Sequence, residues 1–248
     1  TVDWLGFFGQ ASYSSGPINA YGMAGFSSIA YTYQDHFTVA DAVIDHGDPI
    51  TTMQFKGGAM YDVNDNISAF ANFGLVEKPP IMDNVIYFDG TVASDPANEK
   101  FQSIEAGVNY RAGNMAVKAN YYITDWIDRN LTKAVTTGQG SSGDTDLIYL
   151  TGVNQKHSGI EVEGQAQLTD MIRLDGSASI GNWFFDGDAV GNYKSYGEEG
   201  TVTTTYEYAL DGLYVGDMPQ QGLALGGTLT PTPGLKLQAL FNWYNRNF

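Results

Sequence analysis

The sequence predicts an all-β protein, an antiparallel transmembrane β-barrel with about ten strands present, short periplasmic turns and long extracellular loops. Three observations predict it. Strand-length stretches alternate apolar and polar residues, very short polar turns alternate with long acidic loops, and capped segments of 3.6-residue period are scarce. The alternation is clearest from Ile160 to Leu168, where Ile160, Val162, Gly164, Ala166 and Leu168 share one parity and Glu161, Glu163, Gln165 and Gln167 the other. Successive side chains on a strand point to opposite faces, so one face is greasy and the other wet. The unequal loops then favour a membrane barrel over a soluble sandwich, because barrels gather their long loops at the extracellular end.

Composition sets the remaining bounds. The chain has 248 residues, enough for one large all-β domain. With 12 basic and 28 acidic residues its formal charge is −16, which excludes nucleic acid as a partner, since phosphates must be met by Lys and Arg. Cysteine is absent, so neither disulfides nor thiolate metal sites hold the fold. No stretch supplies the roughly 20 apolar residues of a transmembrane helix. A mean hydropathy of −0.22 is compatible with a barrel, in which only every second residue meets lipid. The chain starts at Thr1 with no initiating Met or signal peptide, and is expected to be a mature or cut-out segment.

Taken in order, the first turn falls at Gly16-Pro17, where apolar residues of both parities leave the outward face of the first pair open. A long loop over 33–50 follows. The next pair turns at 62–66 and places Phe55, Gly57, Ala59 and Tyr61, then Ile67, Ala69, Ala71, Phe73 and Leu75, on one face. Beyond a loop at 77–98 the outward set becomes even (Ile104, Ala106, Val108, Tyr110). It returns to odd (Met115, Val117, Ala119, Tyr121, Ile123) across the even-length turn Arg111–Asn114. After a loop at 128–146 come the strand at Ile160, a turn at Thr169–Met171, and the outward residues Ile172, Leu174, Gly176, Ala178 and Ile180. A loop at 186–205 and a turn at Thr230–Gly234 lead to Leu235, Leu237, Ala239, Phe241 and Trp243. Tyr61 and Tyr110 face outward beside short turns, where an aromatic girdle belongs; strand preference alone also accounts for them. Phe248 is out of phase with the last outward set, so the chain is expected to stop inside, or just past, a strand that continued.

Motifs for catalysis are nearly absent: there is no G-x-S-x-G, H-E-x-x-H or Gly-rich phosphate loop. The protein is therefore expected not to be an enzyme, and no cofactor is expected. Among three histidines, parity puts His157 on the polar face with Glu161 and Glu163, as a base–carboxylate pair or a satisfied lumen histidine. Asp35, His36, Asp45 and His46 form two Asp-His pairs in an acidic loop, able to contact a metal-bearing ligand or simply to be solvated. Between them Phe37, Ala40, Val43 and Ile44 have the spacing of a short loop helix. Asp144-Thr145-Asp146 and Asp186-Gly187-Asp188 have part of the oxygen spacing of calcium loops. Trp126 and Trp183 fall near the extracellular mouth on the lumen parity, placed to stack on a sugar or an aromatic chelator, unless a rim bulge reverses them. Trp243 counts toward lipid.

Three segments carry a family resemblance: I-S-A-F-A-N-F-G-L-V-E-K-P-P (Ile67–Pro80), F-Q-S-I-E-A-G-V-N-Y-R (Phe101–Arg111) with K-A-N-Y-Y-I-T-D-W-I-D-R-N (Lys118–Asn130), and G-V-N-Q-K-H-S-G-I-E-V-E-G (Gly152–Gly164). In order and spacing they resemble the C-terminal half of the barrel of TonB-dependent outer-membrane receptors. The resemblance implies a 22-stranded barrel of which residues 1–248 are a part, and a plug domain that is not in this chain. It implies, too, a Gram-negative outer membrane as surrounding lipid, and the TonB energy-transducing complex as partner through that plug. It further implies uptake of a scarce small-molecule or oligomeric ligand such as a siderophore, metal chelate or oligosaccharide. Asp35, His36, Asp45, His46, Trp126, His157 and Trp183 are the candidate ligand contacts, with no resident metal expected. The rival readings are a passive porin-like channel, a structural or adhesive barrel in a larger assembly, an outer-membrane hydrolase and a soluble β-sandwich.

Overall fold

A computed structural model describes the whole chain except residues 35, 37–42, 46–47, 88–89, 95, 138–143 and 198–199. The strands are β1 (Val2–Ser15), β2 (Ile18–Gln34), β3 (Val43–Asp45), β4 (Ile50–Asn64), β5 (Ile67–Lys78), β6 (Glu99–Ala112), β7 (Met115–Thr137), β8 (Asp144–Gln167), β9 (Ile172–Phe185), β10 (Ala189–Gly197), β11 (Gly200–Tyr208), β12 (Gln221–Thr232) and β13 (Leu235–Asn245). Ten of them form one antiparallel path, β1-β2-β4-β5-β6-β7-β8-β9-β12-β13. β3 adds to β2, while β10 pairs with β8 and β11. The path is open, with β1 and β13 at its edges.

Register carries the greasy face across the sheet without a slip. Phe55 lies opposite Leu75, Phe73 opposite Ile104, Ile104 opposite Ile123, Tyr121 opposite Ile160, Ile160 opposite Ile180, and Leu225 opposite both Gly176 and Phe241. The first pair, open from sequence, is settled the same way. Phe7 faces Phe26, Gly9 faces Ala24, and Ile18 faces Tyr61, so Leu5, Phe7, Gly9, Ala11 and Tyr13 join the greasy face. Trp4 and Phe8, which masked the pattern, lie on the other face. On every strand of the path the greasy set ends in polar residues away from the short turns, among them Asp3, Thr51, Glu77, Gln102, Asp125, Lys156, Asn182 and Gln221. The run Ile172–Ile180 matches the roughly 9–11 residues with which a tilted strand crosses a membrane.

The opposite face is polar and concave. A cavity of about 1140 Å³ near the short-turn end is lined by Ser68, Asn109, Lys118, Glu163, Asp175 and Ala224, from β5 round to β12. Its polar groups bond across strands: Asn109 Nδ2 donates to Ser68 Oγ (3.2 Å), Asn72 Nδ2 to Glu105 (3.2 Å) and Asn120 Nδ2 to Glu161 (3.2 Å). Lys118 Nζ lies 3.5 Å from Glu105. Burial of hydrogen-bonding groups on a lumen face is tolerable when they satisfy one another.

The turns show how the parity is kept. Ser15 pairs with Ile18 around Gly16, whose φ of 54° is the left-handed value a two-residue hairpin loop demands. Ala112 pairs with Met115 around Gly113, at φ 50°. The odd count at 62–66 is met by a two-residue turn plus a bulge between Asp62 and Asn64. At 230–234 a bulge between Leu229 and Thr232 takes up Pro231, which has no N–H to donate to the ladder.

Two expected loops are largely sheet. The hairpin β7–β8 continues to Thr137 and Asp144, and most of 186–205 is the hairpin β10–β11 laid onto β8. Above the membrane both faces meet water, so no alternation is required there. β-Branched and aromatic runs such as Val202-Thr203-Thr204-Thr205-Tyr206 still favour strand. The expected loop helix is also corrected at its described end. Val43–Asp45 form β3 against Thr32–Gln34; Phe37 and Ala40 lie outside the described residues. Ile44 packs on a small core of Tyr31, Val85 and Ile86. That core anchors the β5–β6 connection, where Tyr31 donates to Pro80 O (2.8 Å). The same connection reaches β7, β8 and β10 through Thr132 Oγ1 donating to Asn84 Oδ1 (2.8 Å), Tyr87 against Tyr149 (4.9 Å), and Lys194 Nζ 4.0 Å over the Tyr87 ring. It thus bridges β2 to β10 above the greasy band.

Candidate functional site

Where β6–β9 leave the greasy band, the lumen face changes from small polar residues to aromatic ones. Trp126 lies opposite Phe101 and Gln155, and His157 lies opposite Trp183. The Phe101 and Trp126 rings are 4.7 Å apart, and His157 stacks on Trp183 at 5.5 Å with 26° between the planes. Each indole is fixed by its N–H. Trp126 Nε1 donates to Glu99 (3.0 Å), and Trp183 Nε1 donates to the Tyr122 hydroxyl (2.9 Å). Glu99 is 2% exposed and is also met by Lys78 Nζ at 3.2 Å. Burying a carboxylate is costly unless partners of this kind meet it.

The backbone carrying these rings is irregular. The β7–β8 register shifts between Trp126 and Arg129 and again between Arg129 and Leu131. Asp128 in the first shift has φ 56° and Gly152, opposite the second, has φ 67°. Asp128 N–H donates to Asn154 Oδ1 (3.0 Å), and its carboxylate lies 3.5 Å from Lys100. In an unbroken strand Arg129 would share the parity of Ile123 and face outward. The extra residue instead puts it opposite Val153, with its guanidinium 4.2 Å over the Trp126 ring. Counted from Gly113, Arg129 lies beyond the roughly 9–11 residues that cross the bilayer. Burial lowers its pKa while Glu99 and Asp217 oppose the shift, and an arginine so placed stays cationic.

On the far side, Gln220 is 1% exposed and clamps the rim. Its Oε1 accepts from Trp183 N–H (3.1 Å) and its Nε2 donates to Trp183 O (2.8 Å). The turn at 186–188 is braced as well. Asp188 accepts from the N–H groups of Leu210 (2.9 Å) and Asp211 (3.1 Å), Asp211 accepts from Gly187 (3.0 Å), and Asp186 pairs with Lys156 (3.0 Å). The oxygen spacing that suggested a calcium loop here serves the turn.

The fold therefore gathers Trp126, His157 and Trp183 at one mouth. His157 Nε2 donates to Gln155 Oε1 (3.1 Å) and Asn120 donates to Glu161, and among the described residues no hydrogen bond joins His157 to Glu161 or Glu163. In the acidic loop His36 is exposed in a bend, Asp45 sits in β3 opposite Thr32, and Asp35 and His46 lie outside the described residues. Sequence reasoning missed Glu99, Gln155, Gln220 and Arg129. The first three carry no local signal, and Arg129 is reversed by a bulge that no residue pattern announces. Tyr122 was within reach, since its parity alone assigns it to the lumen.

Comparison with known proteins places the fold. A family model described as "TonB dependent receptor-like, beta-barrel" matches residues 1–247. Among solved structures, the copper transporter OprC aligns over 96% of this chain and 41% of its own, with a TM-score of 0.57 and 16% identity. The FrpB iron transporter from Neisseria meningitidis aligns over 96% and 40% (TM-score 0.55, 11% identity). The ferric-catecholate import receptor Fiu from E. coli K12 aligns over 98% and 40% (TM-score 0.53, 12% identity). The chain spans about two fifths of the length of these structures, and at such identities the likeness is one of fold. No curated protein sequence matches it.

Proposed function

Because the chain belongs to the TonB-dependent receptor-like β-barrel family, we propose that it forms part of the wall and extracellular mouth of an outer-membrane receptor that imports a scarce ligand. The observation that carries this reading is the change of character along the lumen face. A polar trough lies near the short turns and an aromatic, charged mouth lies at the rim, both behind a continuous greasy band. A polar lumen alone suits a passive channel. Rings locked by N–H donors and set beside an arginine suit capture, because fixed partners lose little freedom on binding.

In this proposal Trp126, His157 and Trp183 receive the ligand, and the loop bearing Asp35, His36, Asp45 and His46 makes outer contacts. A plug carried elsewhere in the polypeptide fills the polar trough. Energy relayed to the plug by the TonB complex of a Gram-negative cell releases cargo to the periplasm. No residue of the mouth is asked to do covalent chemistry. The cargo is a siderophore, metal chelate, oligosaccharide or similar molecule. The test compares uptake of labelled iron chelates, copper and oligosaccharides in wild-type, receptor-deleted and TonB-deleted cells. At least one cargo should lose uptake in both deletions. Unchanged uptake in the receptor deletion, or a loss that does not depend on TonB, overturns the proposal; the latter outcome supports a passive channel.

A further inference from the structure

Among the described residues three rim lysines meet carboxylates, while Asp125 keeps a buried carboxylate oxygen without a partner. Lys78 meets Glu99, Lys100 meets Asp128, and Lys156 meets Asp186. Arg129, beside them, has no hydrogen-bond acceptor and no ion pair among the described residues; its contact is the Trp126 ring. The carboxylates that act on it, Glu99 and Asp217, do so from beyond ion-pair distance. A guanidinium carries five N–H donors in a planar fork, and leaving such donors unpaired in a half-buried site is costly. A second donor, on the residue opposite Trp126, also lacks a partner. Gln155, opposite Trp126 and 2% exposed, gives its Oε1 to His157 and leaves Nε2 without a partner. The chain spends a bulge with a left-handed Asp128 to bring Arg129 here, and strain of that kind is kept where surrounding structure holds it in place.

We propose that Arg129, together with Gln155 and the rings of Trp126, His157 and Trp183, forms a subsite for a planar aromatic acid. The guanidinium fork would take the carboxylate in paired N–H···O bonds, and the fixed rings would take the aromatic plane. A neutral isostere of the same shape keeps the stacking and loses the charge-assisted bonds. The inference rests on the reading of this mouth as ligand-receiving, and it deepens that reading by naming the chemistry of the ligand.

The experiment uses the full receptor in detergent and equilibrium dialysis with naphthoate and its neutral counterpart naphthamide. Naphthoate should bind at least tenfold more tightly. Arg129→Gln should weaken naphthoate at least tenfold and leave naphthamide unchanged, abolishing the preference. Arg129→Lys keeps the charge without the fork and should retain part of it. Equal binding of acid and amide by the wild type, absence of naphthoate binding, or an unchanged preference in Arg129→Gln overturns the subsite. Because the wild-type comparison needs no variant, a folding defect cannot shelter the idea. A receptor that imports cargo through TonB yet shows no acid preference would sink this inference alone. One that prefers the acid yet imports nothing through TonB would sink the transport reading alone.

Discussion

Substituting arginine at two neighbouring positions of β9 separates the two faces of the sheet. Ala178 lies on the greasy face between Val162 and Leu223, two residues past the middle of the run Ile172–Ile180. Ser177, its neighbour, lies on the polar face between Glu163 and Ala224, beside the 1140 Å³ trough. Arginine on a lipid-facing strand position costs about 2–4 kcal/mol at the bilayer midplane and falls toward zero at the interfaces. Ala178→Arg should therefore cost about 2–3 kcal/mol, a shift of roughly 30- to 150-fold in the folding equilibrium, at about 1.4 kcal/mol for each factor of ten. Ser177→Arg places the same guanidinium beside Glu163, where surface ion pairs are worth about 0–1 kcal/mol, and should stay within about 1 kcal/mol of the parent. The assay is urea-dependent folding of the full receptor into phosphatidylcholine vesicles, read by heat-modifiable gel migration. Equal destabilisation by the two variants, or a larger cost at Ser177, would refute the assignment of the greasy face to lipid.

Three further outcomes follow from named contacts. Tyr122→Phe removes the acceptor of the Trp183 indole N–H and should cost about 1–3 kcal/mol through the unsatisfied donor, seen as a lowered urea midpoint. Gln220→Ala severs the clamp on both backbone groups of Trp183; amides of 183 and 209–220 should exchange faster with deuterium while those of β4–β6 keep their protection. Gly113→Val forces a β-branched residue into a φ of 50° and should cost at least about 1 kcal/mol, with Ala116→Val, in the adjoining strand β7, as the milder control, both read as shifts in the same midpoint.

The greasy band was legible because a period of two lets one residue of error be seen. The even-length turn at Arg111–Asn114 and the odd one at Thr169–Met171 both had to carry the apolar set across, and the registers Ala112–Met115 and Ala166–Leu174 do so. Legibility stops at the rim. Alternation is no longer enforced where both faces are wet, so β10 and β11 read as loop from their Gly, Ser and Thr content. Bulges there depend on contacts such as Asp128 with Asn154, far apart in sequence, and they decide which way Arg129 points. The trio Trp126, His157 and Trp183 could be gathered by counting, whereas the partners that fix it, Glu99, Tyr122 and Gln220, come from other strands. Trp4 and Phe8 show the converse limit, because two aromatic residues on the lumen face of β1 were enough to hide its parity.

The central claim is that this open sheet is one portion of a TonB-dependent receptor barrel, closed by strands elsewhere in the same polypeptide. The denatured mass of the native polypeptide, with the membrane fraction that yields it, tests this most directly. The claim predicts an outer-membrane protein well above the 26.9 kDa of this chain, near 67 kDa if the 40% coverage of FrpB and Fiu carries over. A polypeptide of about 26.9 kDa, or one released without detergent, would contradict it.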